Sequence, residues 1–314
     1  MDEKGESVLN KSLKTSTIAL IFVVIQFFAG NIFSFINFEG MSHNQITIAF
    51  YILICIIPLI IILALSRDNV KETLSLRGTS IKNILMAVVI TLLLMPFVAF
   101  LSYISMLFSP NAVPQELISL AQNENILLTI LAVGAFPAVC EELVFRGKLF
   151  SGYREGLSLP KAVFISALLF GLVHFSLQQL MYAFVMGMVF AVMVYATKSI
   201  LVSIIPHFVV NTSQILLTYF MYGGGFLENM EISQTVVFDK GEFLGLLIAA
   251  VVFLIPAILL LKKMVSRNVE KNEEIDFSGE IGEIAEEAPA EKERMFTVPF
   301  FVILGLYVYY ILMR

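Results

Sequence analysis

Charge is what this chain lacks most. Only 14% of its 314 residues are Asp, Glu, Lys or Arg, against about 25% in an ordinary soluble domain. With 58% hydrophobic residues and a mean hydropathy of +0.88, that scarcity excludes the pair of soluble domains that length alone would allow. Cysteine is nearly absent as well. Cys55 and Cys140 stand in apolar segments without metal or redox spacing and read as small buried hydrophobes. A local His-Glu-x-x-His pair is missing, and no internal repeat appears, so a zinc site borne on one helix and the inverted-repeat design of many transporters both lack support.

What is present is one apolar run after another. A hydrocarbon core of ~30 Å takes about 20 helical residues. Nine segments qualify: 18–38, 46–65, 84–108, 126–145, 162–175, 181–196, 200–220, 243–261 and 297–313. The first is longer than a signal-peptide core and has no small-x-small cleavage site, so it reads as an uncleaved span. The fifth and sixth are short, and the link Leu177-Gln178-Gln179 between them reads as a tight membrane turn. Basic residues set the orientation. With the N-terminus in the cytoplasm, all of the 20 Lys and Arg except Lys240 and Arg314 fall on the inner side. The expectation is an all-α, multi-pass integral membrane bundle with a cytoplasmic N-terminus, in the plasma membrane if the source is a prokaryote. It has an eight-span body and a ninth transmembrane helix.

Composition divides the chain further. Residues 1–125 form a tail and three helices, 126–220 the central helices, and 221–261 an outer loop with the eighth span. Residues 262–296, dense in Glu, read as a flexible cytoplasmic linker leading to the last helix at 297–314.

Few ionisable groups remain at membrane depth, where a carboxylate costs roughly 2.5–3.5 kcal/mol. They are Glu141, Glu142 and Arg146 near the end of the fourth span, His174 in the fifth and His207 in the seventh. Adjacent helical residues point ~100° apart, so the two glutamates cannot share a task. Glu142 and Arg146 are spaced i,i+4 with the acid first, the favourable order for an ion pair. Glu141 is then left facing elsewhere without a local partner. His207 and Asn211 share one helical face. An acid, two imidazoles and a carboxamide converging from three helices suit amide hydrolysis: the carboxylate activates water, and His or Asn donates to the developing oxyanion. Taken singly, each has a structural reading too, as a snorkelling acid, a packing histidine or interhelical glue. Counting depth from Arg146 puts Glu141 about 7–8 Å into the membrane and the mouth of the site toward the cytoplasm. His174 comes out deeper, about 18 Å above Ala162.

At these residues the chain resembles the CPBP family (CAAX prenyl endopeptidase and bacteriocin-processing, also Abi) of intramembrane proteases. Glu-Glu-x-x-x-Arg is matched by Glu141-Glu142-Leu143-Val144-Phe145-Arg146, Phe-x-x-x-His by Phe170-Gly171-Leu172-Val173-His174, and His-x-x-x-Asn by His207-Phe208-Val209-Val210-Asn211. The resemblance covers residues 126–220. It implies that Glu141 is the catalytic glutamate, that His174 helps it position water, and that His207 and Asn211 stabilise the oxyanion. Glu142, Arg146 and Phe170 would be supporting residues. The implied function is a membrane endopeptidase that cleaves membrane-associated peptide or protein substrates near the cytoplasmic face. Its surroundings are membrane lipids, and nothing points to nucleic acid. Glu141, His174 and His207 could hold Zn²⁺ with an open position, and a metal-free glutamate mechanism is equally consistent. A non-proteolytic scaffold or export accessory protein is the alternative, and an ion- or proton-coupled transporter a more distant one.

Overall fold

The computed structural model describes residues 8–108, 119–120, 123–223, 238–278 and 294–313. Among them nine helices of 14 or more residues overlap the nine apolar segments. They are α1 (Val8–Phe27), α2 (His43–Ser66), α3 (Ile81–Phe108), α4 (Ile126–Arg154), α5 (Leu159–Leu172), α6 (Leu177–Thr197), α7 (Leu201–Met221), α8 (Lys240–Ser278) and α9 (Val298–Met313). Six of them, α2, α3, α4, α6, α7 and the apolar part of α8, are long and apolar enough to cross a membrane. The multi-pass helical bundle is therefore present.

Several boundaries differ from expectation, each for a local reason. Helix α1 starts inside the polar tail because Ser12 and Ser16 are buried, and Ser16 hydrogen-bonds Tyr153 of α4 at 2.9 Å. The expected turn at Leu177-Gln178-Gln179 is instead the first turn of α6. The Ser176 side chain caps that helix by accepting from the Gln179 N–H. The chain reverses one step earlier, at 173–176, where Phe175 takes a left-handed φ of 47°. Helix α8 runs on to Ser278, so the start of the segment read as a flexible linker is helical. Residues 279–293 of that segment lie outside the described residues.

Helices α5 and α6 form a close hairpin. A Cβ on Gly171 would lie 2.9 Å from the Leu180 carbonyl oxygen, and one on Gly187 would lie 3.0 Å from Ala167 Cα. Only glycine lets the backbones approach so closely, which is how helices pack in a solvent as apolar as their own side chains. Beyond this hairpin the core has two parts. One joins α1, α2, α4, α5, α6 and α9, and the other joins α3, α6, α7 and α8 around Ile90, Phe190, Met193 and Met264.

Polar stitches gather at the end of the bundle that carries the basic loops. Asn83 of α3 and Asn268 of α8 exchange amide hydrogen bonds at 2.9 and 3.1 Å, and Arg267 also donates to Asn83. The Ile200 N–H donates to the Ser75 carbonyl at 2.9 Å, and the Ser199 hydroxyl to that of Arg77 at 2.6 Å. These bonds tie the turn before α7 to the loop before α3.

At the same end, Lys148 pairs with Asp68, whose side chain is 23% exposed and also accepts from the Ser66 hydroxyl. Burial pushes the Asp68 carboxyl up, but hydrogen bonds from Lys148 and Ser66 and the charges of Lys148 and Lys14 outweigh it, holding the group below the usual carboxylate range. Because folding lowers this value, ionised Asp68 stabilises the fold above its unfolded value of ~3.9, and the contribution is lost as pH falls through the folded value. The melting-temperature advantage of the protein over Asp68→Asn in detergent should hold from about pH 7 to about pH 5 and shrink below about pH 4. An advantage that persists undiminished in stronger acid would contradict this.

Candidate active site

Three helices, α4, α5 and α7, bring the expected residues together. Glu141 and Glu142 lie in mid-α4, where Pro137 has no N–H to give the carbonyl of Val133. The helix is wide-turned over Ile130–Ala135 and again over Leu143–Leu149. The freed Val133 carbonyl accepts from the Asn211 side chain of α7 at 3.4 Å. Asn211 is thus bound to the backbone of the helix that carries the acids.

Arg146 lies inside the protein and inside a helix that runs beyond it. It is 2% exposed and α4 continues to Arg154, so Glu141 lies about 20 Å from that end of the helix. His174, just past α5, lies about 22 Å from the start of that helix at Leu159. The depth mismatch expected between the two disappears.

The two glutamates divide as their spacing predicts, with one addition. Glu142 is fully buried, and its Oε1 accepts from Arg146 at 2.7 Å. The same oxygen lies 2.9 Å from Nδ1 of His207. Glu142 therefore also orients the imidazole. An ionised carboxylate can only accept, so Nδ1 carries the proton and Nε2 is turned the other way. The Arg146 guanidinium lies 4.0 Å from the centre of the Phe170 ring and 5.4 Å from that of Phe190, a cation–π sandwich that offsets part of its desolvation. Phe170 also meets the His174 ring edge-on at 5.1 Å. This is the supporting role that the Phe of the second motif plays here.

Glu141 points into a cavity of ≈ 560 Å³ that His174, His207 and Asn211 also line. Its Oε2 lies 3.9 Å from His207 Nε2, too far for a direct hydrogen bond. Its Oε1 accepts from the Tyr51 hydroxyl at 3.0 Å. Tyr51, on α2, went unnoticed in the sequence. Ninety residues separate it from Glu141, and a tyrosine in an apolar span carries no signal of its own. On the far side of the carboxylate is a crevice of ≈ 20 Å³, whose polar lining is Glu141, His174, Tyr51 and Gln26. That volume holds about one water, with enough polar partners to bind it.

Among the described residues, no group of three or more His, Cys, Asp or Glu side chains could hold a metal ion. Glu141 Oε1 is engaged by Tyr51 and His207 Nδ1 by Glu142, which leaves Oε2 and Nε2 facing each other.

Residues 123–213 match the family described as Rce1-like, type II CAAX prenyl endopeptidase. All three motifs fall within that stretch. The central segment of this chain is thus similar to the CAAX endopeptidase family that its three motifs resemble. A Bacillus subtilis (strain 168) protein named "Putative membrane peptidase YdiL" is 32% identical over 90 residues, which are 29% of this chain and 37% of that protein. The chain thus spans little more than a third of the length of the curated relative it matches. No solved structure matches it significantly. The helices outside the matched segment contribute Tyr51 and part of the cavity wall.

Two tests follow from this geometry. Glu142→Ala should leave Arg146 buried without a partner and destabilise the fold by about 3–5 kcal/mol. The apolar pair Glu142→Leu with Arg146→Met should restore much of that stability while His207 stays without its acceptor, so cleavage of a membrane peptide reporter should remain low. Recovery of both would remove the orienting role. Tyr51→Phe keeps the ring and removes one hydrogen bond to a charged acceptor, worth about 1.5–3 kcal/mol. Reporter kcat should fall about tenfold or more with little change in KM, and an unchanged kcat would show that Glu141 holds its orientation without it.

Proposed function

We infer that this protein is a membrane endopeptidase that hydrolyses peptide bonds of membrane-associated substrates with water activated by Glu141. The observation that carries the reading is the disposition of the Glu141 carboxylate. One oxygen is held by Tyr51, the other faces His207 Nε2 across 3.9 Å, and His174 shares both the cavity and the one-water crevice. The Rce1-like match and the peptidase named in Bacillus subtilis support the same reaction class.

In this reading Glu141 takes a proton from water as the water adds to the scissile carbonyl carbon, with His174 orienting the water. The carbonyl oxygen becomes an oxyanion, which Asn211 and His207 stabilise by hydrogen bonding. His207 Nε2 donates there as imidazolium, because Nδ1–H is already committed to Glu142. Glu141 then passes its proton to the leaving nitrogen as the C–N bond breaks. The low-dielectric surroundings strengthen each of these interactions relative to water. No step needs a metal.

Glu141→Ala, His174→Ala and His207→Ala, assayed singly with a cleaved membrane reporter, should each lose about 10²–10⁴-fold in activity while the protein still assembles in the membrane. Purified protein should stay active after dialysis against a zinc chelator. A cellular phenotype that survives all three substitutions would favour a scaffold. One equivalent of zinc whose removal abolishes cleavage would overturn the metal-free route.

A further inference from the structure

The cavity points away from the end of the bundle where the basic loops lie. Along α2 its lining starts at the first residue of the helix, with His43 and Thr47. His43 lies beside the loop before α4, since its N–H donates to Glu124 at 3.0 Å. On α7 the lining includes Gln214, about 20 Å along the helix from Leu201. On α3 it includes Val98, about 25 Å from Ile81. Each of these helices places its lining residues away from the Ser75–Ile200 and Asn83–Asn268 stitches.

Basic residues give that direction a side. The stitched end carries Arg67, Lys71, Arg77, Lys82, Arg154 and Lys161, and cytoplasmic loops hold the excess of Lys and Arg. The opposite end, toward which the cavity's lining residues lie, is therefore the non-cytoplasmic one. This reading differs from the cytoplasm-facing site expected from counting depth at Arg146.

The geometry points to entry of substrate from the non-cytoplasmic side, so that the peptides cleaved are segments of exported or membrane-anchored proteins lying at the outer leaflet. The inference deepens the endopeptidase reading and rests on it for the reaction, while the route of access stands on cavity and charge alone. A cavity of ≈ 560 Å³ with aromatic and aliphatic walls suits one extended, largely apolar stretch of chain.

Single cysteines test the route. Thr47→Cys and Gln214→Cys report on the cavity from two different helices, and Lys71→Cys reports on the basic end. The parent protein, whose Cys55 and Cys140 are buried, gives the background. A membrane-impermeant maleimide added to intact cells should label the first two variants and not the third, and inside-out vesicles should reverse the pattern. Labelling of the cavity variants only from the cytoplasmic side, or from neither side, would overturn the proposal, as would labelling of Lys71→Cys from outside. In parallel, one reporter segment is presented either exported or retained in the cytoplasm, and only the exported form should be cut. Cutting of the retained form alone would also overturn it. If neither form is cut, the hydrolytic reading fails while the labelling still decides the route.

Discussion

One oxygen atom, Oε1 of Glu142, holds the centre of this protein together. It accepts from Arg146 on its own helix and contacts His207 on α7. Away from water, a guanidinium and a carboxylate can persist only as partners, since either alone would face a desolvation cost of several kcal/mol. The cation is further enclosed by rings from α5 and α6. Four helices are thereby registered on one ion pair, and the imidazole held by it can present only one nitrogen to the cavity. The arrangement of the other polar groups depends on that registration.

The two ends of the bundle are built differently. Toward the basic loops, reciprocal amides, a backbone bridge and the Lys148–Asp68 pair lock α3, α4, α7 and α8 against their neighbours. Toward the other end lie the residues that line the cavity. In the proposed route of access, substrate would therefore enter without loosening the contacts that fix Glu142. The last helix contributes to this division. Its Tyr307 and Tyr310 pack on Phe175, the residue whose left-handed backbone turns the chain next to His174.

Much of this was legible in the chain. The i,i+4 spacing of Glu142 and Arg146 is enough to pair them, and apolar runs with a lopsided distribution of Lys and Arg are enough to count the helices. Three short motifs on separate spans identify the residues that meet at the cavity. Contacts between helices were not legible. Neither the Glu142–His207 bond nor the Tyr51–Glu141 bond has any local pattern to reveal it, because each joins residues 65 or 90 positions apart. The burial of Arg146 was not legible either: a buried arginine and an exposed one look alike in sequence, and only its partners distinguish them. The turn before α6 was displaced because a serine cap and a left-handed phenylalanine outweighed the polar glutamines as a signal for where the chain reverses.

Helix α5 has 14 residues, about 21 Å of helix in a hydrocarbon layer of ~30 Å. Most of its side chains are buried in protein, so the missing length is not made up by lipid. The reversal at 173–176 stops short, and the space above it belongs to the cavity that His174 lines. A hydrolase inside a membrane has to be supplied with its second reactant, water, which lipid excludes. In the endopeptidase reading, an abbreviated interior helix leaves room for water beside the carboxylate, and the shortfall that reads as a weak span in the sequence serves the supply of solvent to Glu141.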